Sequence, residues 1–524
     1  MERKNYVVAV DLGSSNVVVA VAVKNEDSSL SLQAVVSKPL LAESVEAGQI
    51  KNIEQAGQAV IAAFAEAGEV AGIRITEAYA GISGEFVRCA RHTDYVFVGD
   101  PQNGVSEQDV KSLFDRMRNL QAPENEVIME HIPQNYIVDD SQEVQNPIGS
   151  FGRKLSSTFN FVLCETTPMK RLSMALKRAD VEIAGILPNT MAVAESVLSP
   201  DEKEEGVALV DIGAGVTDVT IYYRNVVRYI ASIPIGAAAI NQDIGTMGVP
   251  SRFVENLKVQ YGSAVAEKAS ETKMVRVTGR TAREARDILL RNLATVIESR
   301  ALDIIDFVKE EIKISGFAGK LGYGIVLTGG SANLKDLDEL FRRATNLEVR
   351  VAAPEFGITE ESCELLDDPQ YATVAGLLIK AAAKSPNGMA YVPLPPKVVE
   401  KAAEQAVATE QPAKPAVQQQ PATPIEQPKQ QPASVPAQPT AQTPRVAQPV
   451  QPSGRQSEKP TTQQRSTEAV QPERLLQRDD QSAGEQDDHF EEEEEPKPKK
   501  RRGFWKVIEN FTKGFETVGD DEEI

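Results

Sequence analysis

The stretch that decides the fold runs from Gly206 to Ile221 and reads GVALVDIGAGVTDVTI. Its two ends are apolar and β-prone, and Asp211, Gly213 and Gly215 interrupt them, so the pattern predicts a strand, a tight turn and a second strand. Glycine lets the backbone of such a turn approach an anion closely. A carboxylate at the strand end can hold a hydrated cation beside that anion. The stretch alone leaves two interpretations open, a phosphate and metal clamp or an ordinary hairpin that contains glycine.

The same pattern occurs near the start of the chain. Residues 6–20 read YVVAVDLGSSNVVVA, with Asp11 where the other copy has Asp211. A third segment, residues 323–334, reads YGIVLTGGSANL and predicts a strand, a Gly-Gly-Ser turn and a helix that begins near Leu334. Two similar clamps predict two similar halves that face one nucleotide. In this order, the three segments resemble the ATPase domain shared by actin, Hsp70-type chaperones and sugar kinases.

Composition divides the chain into unequal parts. Residues up to about 384 are apolar enough to bury substantial cores. The net charge of −20 argues against nonspecific binding of nucleic acid. The three cysteines contain no CxxC pair, which argues against a structural zinc site or a disulfide framework and fits a reducing cytosol. No signal peptide and no apolar run long enough to span a bilayer are visible.

Hydrophobic periodicity predicts the element order of the first 384 residues. A hairpin, a strand over 30–36, a helix over 52–67 and a strand over 73–82 give a βββαβ first lobe. The segment 83–164 follows as a candidate inserted module. The remaining predictions are strands over 86–89, 95–98, 127–136 and 155–163, a helix from Ser106 with a capping signal, a helix over 167–179, a strand over 275–277, one or two helices over 281–314, and a closing helix from Asp368.

Two motifs inside the inserted module identify a narrower family. Residues 130–139 read EHIPQNYIVD, and residues 146–155 read NPIGSFGRKL. The pair resembles the "hxIPQxaxvDxxxxxxxPxGxxGxxL" segment of the bacterial cell-division FtsA family, whose order of elements matches as well. In that family this subdomain, called 1C, replaces a subdomain that actin has elsewhere. The resemblance implies an α/β, actin-like two-lobed ATPase fold of duplicated ribonuclease H-like domains, with an inserted 1C subdomain.

The resemblance also implies a division of the chain. Lobe 1 (1A) takes residues 1–82 and 165–204, and the insert takes 83–164. Lobe 2 (2A) takes 205–235 and 320–384, and subdomain 2B takes 236–319. Residues 385–496 are rich in Pro and Gln and poor in aromatics, so they are expected to form a disordered linker.

By the same resemblance, the cofactors are ATP and Mg²⁺. Asp11 and Asp211 are expected to hold Mg²⁺ through waters, and Asp218 to lie near the attacking water. The phosphates are expected to meet Gly13, Ser14, Ser15, Gly213, Gly215 and Thr217, and the nucleoside to meet Glu255, Lys258, Gly329, Gly330 and Ser331. Asn16 and Asn189 depart from the residues common in the family. ATP binding is therefore expected, with weak or no hydrolysis.

The last segment, residues 497–519, predicts a basic amphipathic helix. At about 100° per residue its apolar side chains form one stripe beside Lys499, Lys500, Arg501 and Arg502, a pattern typical of a helix that lies in a membrane interface. The alternative is a helix that docks in a partner's groove. The residues expected to bind membrane are Phe504, Trp505, Ile508, Phe511, Phe515 and the four basic residues.

The resemblance implies a cell-division protein that polymerises on the cytoplasmic face of the inner membrane at the division site. It would be a peripheral protein that tethers FtsZ filaments, takes the C-terminal tail of FtsZ on subdomain 2B, recruits later division proteins and binds no nucleic acid. Two other classes remain open. A sugar-kinase relative would need a substrate cleft with a catalytic Asp, against which the insert argues. A chaperone would carry a β-rich substrate domain after the ATPase lobes, and a pilus-assembly relative typically lacks the basic tail.

Overall fold

The computed structural model describes residues 5–140, 142–277, 285–386, 388–389 and 391–393. The predicted helix over 497–519, and all of the predicted linker beyond Pro393, lie outside the described residues. Within the described part of the chain, no helix is both long enough and apolar enough to cross a membrane.

Lobe 1 begins with an antiparallel meander of apolar strands. β1 and β2 are covered on both faces, as their near-continuous Val and Ala runs require. Its elements are β1 (Tyr6–Leu12), β2 (Asn16–Lys24), β3 (Leu30–Pro39), β4 (Val45–Glu46), β5 (Gln49–Ile50), α1 (Ile53–Ala71), β6 (Ile73–Ile75) and β7 (Glu77–Ile82). The side chain of Asn52 caps α1 at its start, and Gly72 ends the helix in the left-handed conformation.

The insert is a four-stranded antiparallel sheet that carries one helix. Its elements are β8 (Val87–Phe97), α2 (Glu107–Arg118), β9 (Glu126–Val138), β10 (Gln142–Val144) and β11 (Lys154–Glu165), and the strand order is β10-β9-β11-β8. Ser106 and Asp109 form the capping box that the sequence predicts at the start of α2. Residues 86–89 and 95–98 were expected to form two strands, but they belong to one long strand that pairs with β11 along its length.

The chain then returns to lobe 1 and crosses to lobe 2. The return elements are α3 (Thr166–Lys177), β12 (Glu182–Pro188), α4 (Asn189–Val197) and α5 (Pro200–Glu205). The first sheet has the order β12-β7-β1-β2-β3, with parallel pairs on one side of β1 and antiparallel pairs on the other.

Lobe 2 repeats the same topology. Its elements are β13 (Val207–Ile212), β14 (Thr217–Tyr223), β15 (Val226–Ile233), α6 (Ala237–Thr246), α7 (Ser251–Tyr261), β16 (Met274–Val277), β17 (Arg286–Leu289), α8 (Leu290–Ile314), β18 (Ile325–Thr328), α9 (Leu337–Thr345) and β19 (Val349–Val351). The chain then continues through α10 (Glu360–Leu365), α11 (Ala372–Lys384) and β20 (Tyr391–Pro393), which contact strands of lobe 1. The sheet order is β15-β14-β13-β18-β19, again a three-stranded meander continued by two parallel strands. The duplicated α/β fold that the resemblance implies is confirmed.

Three predicted boundaries are wrong. The helix predicted from residue 281 begins at Leu290, because 286–289 form β17 and pair with β16. Two adjacent apolar residues, Ile288 and Leu289, fit a first helical turn as well as a strand end. The strand predicted over 73–82 is two strands, and the helix expected near Leu334 begins at Leu337 after a 3₁₀ turn.

The predicted start of the linker at residue 385 is also too early. Residues 391–393 pair antiparallel with β6, and Met389 is buried beside β1, where its sulfur accepts a hydrogen bond from the Val8 N–H. The folded part of the chain therefore extends past α11 and returns to lobe 1.

Candidate functional site

The two turns predicted to bind phosphate have the same geometry. The Gly13 N–H donates to the carbonyl of Asn16 at 3.0 Å, and the Gly213 N–H donates to the carbonyl of Val216 at 2.9 Å. Each turn follows the central strand of its sheet, β1 or β13, at the strand's carboxyl end. The duplication of the fold therefore brings two equivalent turns to one cleft.

The two turns touch across that cleft. A Cβ placed on Gly215 would lie 2.4 Å from the Ser14 hydroxyl oxygen and 3.1 Å from the Ala47 backbone nitrogen, so only glycine fits. Ser14 and Ala47 belong to lobe 1, whereas Gly215 belongs to lobe 2. Ser15, next to Ser14, is exposed. The backbone of both turns therefore faces the same narrow space.

Three aspartates surround this space and disfavour one another's charge. Burial, followed by the charge of Asp211, raises the pKa of Asp11 to about 6. Burial also raises the pKa of Asp211. Burial, followed by the charges of the other two, raises the pKa of Asp218 to about 7. A cluster of buried carboxylates is a favourable place for a cation.

The described part of the chain nevertheless offers no metal cage built from protein side chains alone. Among the described residues, no group of three or more His, Cys, Asp or Glu side chains is arranged to hold a metal ion. Mg²⁺ usually keeps several waters and binds through one or two carboxylates together with substrate phosphates. Asp11 and Asp211 fit a hydrated Mg²⁺ of that kind.

Two neutral side chains orient the first two aspartates. The Asn189 amide donates from Nδ2 to Asp11 Oδ1 at 3.0 Å, and the Thr373 hydroxyl donates to Asp211 Oδ2 at 2.8 Å. The other amide atom, Asn189 Oδ1, is buried and accepts no hydrogen bond from any described residue. A Cβ on Gly81 would lie 2.2 Å from that oxygen, which explains the glycine in β7.

Asp218 is held by hydroxyl groups of both lobes. The Ser83 hydroxyl lies 2.7 Å from Oδ1 and 2.6 Å from Oδ2, and the Ser232 hydroxyl donates to Oδ1 at 2.6 Å. Ser83 follows β7 of lobe 1, and Ser232 is in β15 of lobe 2. Both oxygens of the predicted catalytic residue are thus already hydrogen-bonded.

Hydrogen bonds from α6 and from Ser331 hold the second turn, Gly213–Val216, in place. The backbone N–H groups of Ala237 and Ala238, in the first turn of α6, donate to the carbonyls of Gly213 and Ala214 at 3.1 and 2.8 Å. The Ser331 hydroxyl donates to the Gly213 carbonyl at 2.9 Å. These contacts hold the turn in place, and the Ser331 side chain contributes one of them.

The structure gives the Thr217 side chain a role different from the predicted one. Thr217 is fully buried, and its hydroxyl donates to the Ile235 carbonyl at 2.8 Å. The side chain was expected to cradle phosphate, but it points into the fold because Thr217 begins β14. Only the turn before it is available to an anion.

The expected nucleoside side contains a compact polar network. Lys258 Nζ donates to Glu255 Oε2 at 2.9 Å, and Asn241 Nδ2 donates to the same oxygen at 2.6 Å. Lys258 is buried, with 8% of its surface exposed, whereas the Glu255 side chain is largely exposed. Burial opposes the charge of Glu255, but the hydrogen bond and charge of Lys258 keep its pKa below the ordinary value. Asn241 Oδ1 is buried without a partner among the described residues.

Glycine is required beside Asp211 for steric reasons. Gly329 has φ +85°, and a Cβ there would lie 2.2 Å from Asp211 Oδ1. Gly330 has more room, because its Cβ would meet only the Gln370 side chain at 3.5 Å. The Gly-Gly-Ser turn therefore packs its backbone directly against the aspartate of the second clamp.

Sequence reasoning missed four residues of this site, Ser83, Ser232, Thr373 and Asn241. Ser83 follows the carboxyl end of a parallel strand, which is where open α/β sheets place ligand-contacting residues, so its position carried a usable signal. The other three are polar side chains within apolar elements, and only their hydrogen-bond partners distinguish them.

Comparisons with known proteins agree with this architecture. Residues 208–376 match the family model described as "Cell division protein FtsA", and residues 84–163 match "SHS2 domain inserted in FTSA". Cell division protein FtsA of Pseudomonas aeruginosa is 30% identical over 386 residues, which cover 73% of this chain and 91% of that protein.

FtsA of Escherichia coli is 27% identical over 74% of this chain and 93% of its own length. Among solved structures, a PilM–PilN type IV pilus biogenesis complex is similar in fold, with a TM-score of 0.50 and 12% identity over 72% of this chain and 98% of that one. At that identity the likeness shows the fold alone. The identity to the Pseudomonas protein, over nearly all of that protein's length, shows that this chain belongs to the family of cell division protein FtsA.

Proposed function

We propose that this chain binds Mg·ATP between its two lobes and polymerises on the cytoplasmic face of the inner membrane at the division site. There it tethers FtsZ filaments and helps to recruit later division proteins. The observation that carries ATP binding is the contact of two equivalent turns, Gly13–Asn16 and Gly213–Val216, beside a cluster of three aspartates, two of them buried. Membership of the FtsA family supports the role in division.

The proposed cofactor contacts follow from the positions of these groups. Asp11 and Asp211 hold the waters of Mg²⁺, and the ion supplies positive charge to the phosphates. The backbone groups that contact the phosphates belong to Gly13, Ser14, Ser15, Gly213 and Gly215. Glu255, Lys258, Gly329 and Gly330 line the nucleoside side, where the unpartnered Asn241 Oδ1 offers a further acceptor.

The hydrogen bonds of the site favour binding over turnover. A general base must reach the proton that it abstracts, but both oxygens of Asp218 already accept hydrogen bonds from Ser83 and Ser232. Asn189 is a neutral amide and takes up no proton near pH 7. We therefore propose that ATP acts on the relative position of the two lobes and that its hydrolysis is weak or absent.

The first test is direct binding of a fluorescent ATP analogue with and without Mg²⁺. Saturable binding to the full chain supports the proposal, and no binding with Mg²⁺ present contradicts it. Asp11→Asn should reduce the Mg²⁺ dependence, because it removes one of the two water-holding carboxylates. Asp139→Asn is a matched control in the insert, away from the cleft.

The contacts with FtsZ and the membrane are proposed from the sequence. Residues 236–319 are proposed to take the FtsZ tail, and the stripe containing Phe504 and Phe511 to enter the lipid interface. An amphipathic helix binds reversibly, and filaments that present many such helices bind more tightly through avidity.

Co-sedimentation with anionic liposomes tests this tether. The full chain should retain FtsZ on the liposomes, and Phe504→Glu with Phe511→Glu should abolish retention. Asn510→Glu with Thr517→Glu adds the same charge on the opposite side of the predicted helix and should leave retention largely unchanged. Absence of retention by the intact chain under filament-forming conditions contradicts the tether.

A further inference from the structure

A buried arginine fastens the insert to lobe 2. Arg228 in β15 is 4% exposed, yet among the described residues the acceptors of its guanidinium hydrogen bonds are neutral amide and carbonyl oxygens rather than carboxylates. Nη1 donates to Gln134 Oε1 at 3.2 Å, Nη2 to Asn135 Oδ1 at 3.1 Å, and Nε to the Tyr223 carbonyl at 3.0 Å. Gln134 and Asn135 belong to β9 of the insert.

A β-bulge prepares this contact. Tyr229 and Val227 pair with consecutive residues of β14, which leaves Arg228 as the extra residue of the ladder. The freed carbonyls turn to the insert: Asn160 donates to the Arg228 carbonyl at 3.0 Å, and Gln134 donates to the Val227 carbonyl at 3.0 Å. We call Arg228, Gln134, Asn135 and Asn160 the Arg228 clamp.

The same strand reaches the cleft at its other end. Ser232 lies four residues beyond Arg228, about 13 Å along an extended strand, and donates to Asp218. Asp218 in turn accepts from Ser83, the residue at which the chain leaves β7 for the insert. One end of β15 is therefore linked, through Asp218, to the start of the insert, and the other end is hydrogen-bonded to the sheet of the insert.

A change in the distance between the two turns is expected to affect the hydrogen bonds at both ends of β15. Ser14 and Gly215 are too close for phosphates to pass between them, so a triphosphate between the turns requires the turns to separate. Separation displaces β14 and β15 relative to lobe 1. Because the insert is covalently part of lobe 1, this displacement is applied to the hydrogen bonds of the Arg228 clamp.

We propose that β15 and the Arg228 clamp couple the cleft to the insert, so that nucleotide entering between the turns loosens the insert from lobe 2. The proposal rests on the proposed function, because it assumes that the cleft binds nucleotide. It adds a regulated position of the insert, set by the contents of the cleft.

The chain carries its own reporter of this contact. Cys89 in β8 is half-buried at the place where β8 contacts β15. It lies close to Tyr229, whose pKa is raised first by burial, then by the hydrogen bond with Glu311, and to a smaller extent by Cys89. Cys363 lies elsewhere, in α10, and serves as an internal control. Thiol labelling followed by mass spectrometry measures the two rates separately in the full chain.

Saturating Mg·ATP should raise the labelling rate of Cys89 about fivefold, the lower end of ordinary coupling between sites, and leave Cys363 unchanged. Arg228→Met should label Cys89 rapidly with or without ATP, whereas Arg153→Met, at an exposed position of the insert, should behave like the unaltered chain. An unchanged Cys89 rate while a fluorescent ATP analogue is bound overturns the proposal, as does a full ATP response in Arg228→Met.

Two further variants keep the result decisive. If Arg228→Met does not show a cooperative unfolding transition, Arg228→Lys keeps the charge, loses the forked contact and should give an intermediate rate. Ser83→Ala opens the cleft end without nucleotide and should by itself accelerate Cys89 labelling. If the chain binds no nucleotide, the proposed function fails, and the Ser83→Ala result alone then supports or overturns the coupling.

Discussion

The Ser83 hydroxyl lies within 2.7 Å of both carboxylate oxygens of Asp218, and this contact joins lobe 1 to lobe 2 at the bottom of the cleft. Ser232 adds a second hydroxyl to the same carboxylate. Neither neighbour carries a compensating positive charge. Burial and the nearby Asp211 and Asp11 therefore hold the pKa of Asp218 at about 7.

This arrangement predicts a stability that falls as the pH rises. The folded-state pKa of Asp218 is raised above the ordinary value of 3.8, so the folded chain binds more protons than the unfolded chain between these values. The stabilising contribution is complete below pH 4 and is lost as the pH rises through 7. Asp218→Asn should therefore raise the free energy of unfolding by about 2 kcal/mol at pH 8, with a smaller difference at pH 5, as measured by urea unfolding.

A carboxylate whose pKa is lowered rather than raised provides the control. Backbone N–H groups of Arg153 and Lys154 hold the pKa of Asp139 below its ordinary value. Asp139→Asn should consequently lower stability at pH 8 and have less effect at low pH. Equal pH profiles for the two variants would contradict the assignment of a buried, uncompensated charge to Asp218.

The Gly-Gly-Ser turn predicts opposite outcomes for two adjacent glycines. Gly329 has φ 85° and ψ 160°, a region that only glycine occupies readily, and its Cβ would strike Asp211. Gly329→Ala should lower the free energy of unfolding by about 2 kcal/mol or more and weaken ATP-analogue binding. Gly330→Ala, which meets only an ordinary contact with Gln370, should stay within about 0.5 kcal/mol of the unaltered chain. Equal losses in the two variants would show that the turn does not pack as described.

Thr190 offers a test of an unpartnered hydroxyl near the cleft. Its Oγ1 is buried without a hydrogen-bond partner among the described residues, whereas the Thr328 hydroxyl donates to the Ala352 carbonyl at 2.8 Å. Thr190→Val removes an unsatisfied polar atom without changing the shape, so it should be neutral or stabilise by up to about 1 kcal/mol. Thr328→Val should destabilise by about 1 kcal/mol or more in the same thermal unfolding assay. A marked loss in Thr190→Val would mean that a water or a ligand satisfies that hydroxyl.

The corrected role of Thr217 is testable in the same way. Thr217→Val removes the hydroxyl that donates to Ile235 and should lower the free energy of unfolding by about 1 kcal/mol. It should leave the affinity for an ATP analogue within about twofold, because the side chain faces the fold and the expected effect on binding is below about 0.4 kcal/mol. A tenfold loss of affinity without loss of stability would restore the predicted phosphate contact.

The paired hairpins were predictable because a strand, an aspartate and a glycine turn form a local pattern that occurs twice. The duplication then implied that Asp11 and Asp211 face each other. The Ser83–Asp218 and Arg228–Gln134 contacts were not predictable, because the partners are 135 and 94 positions apart in the sequence. An isolated polar residue carries no sequence pattern that identifies its hydrogen-bond partner. The bulge at Arg228 also depends on register, which hydrophobic alternation alone does not determine.

Composition also misplaced the start of the predicted linker. The sequence after residue 385 begins to gain proline and lose large apolar residues, yet Met389 is buried and Tyr391 packs edge-on against Tyr6 with ring centroids 4.6 Å apart. Short strands of this kind carry too few residues for a periodic signal. Tertiary contacts with lobe 1 determine their structure.

Met389 therefore provides a test of whether the predicted linker can begin at residue 385. It is buried against β1, and its sulfur accepts the Val8 N–H at 3.3 Å, so Met389→Ala in the full chain should lower the free energy of unfolding by about 2–4 kcal/mol. Met274→Ala is the matched control, because that side chain is 64% exposed at the end of β16 and should change stability by less than about 0.5 kcal/mol. Urea unfolding of both variants separates the two cases. If the linker began at residue 385, the alanine substitutions at 389 and 274 would both leave the free energy of unfolding nearly unchanged.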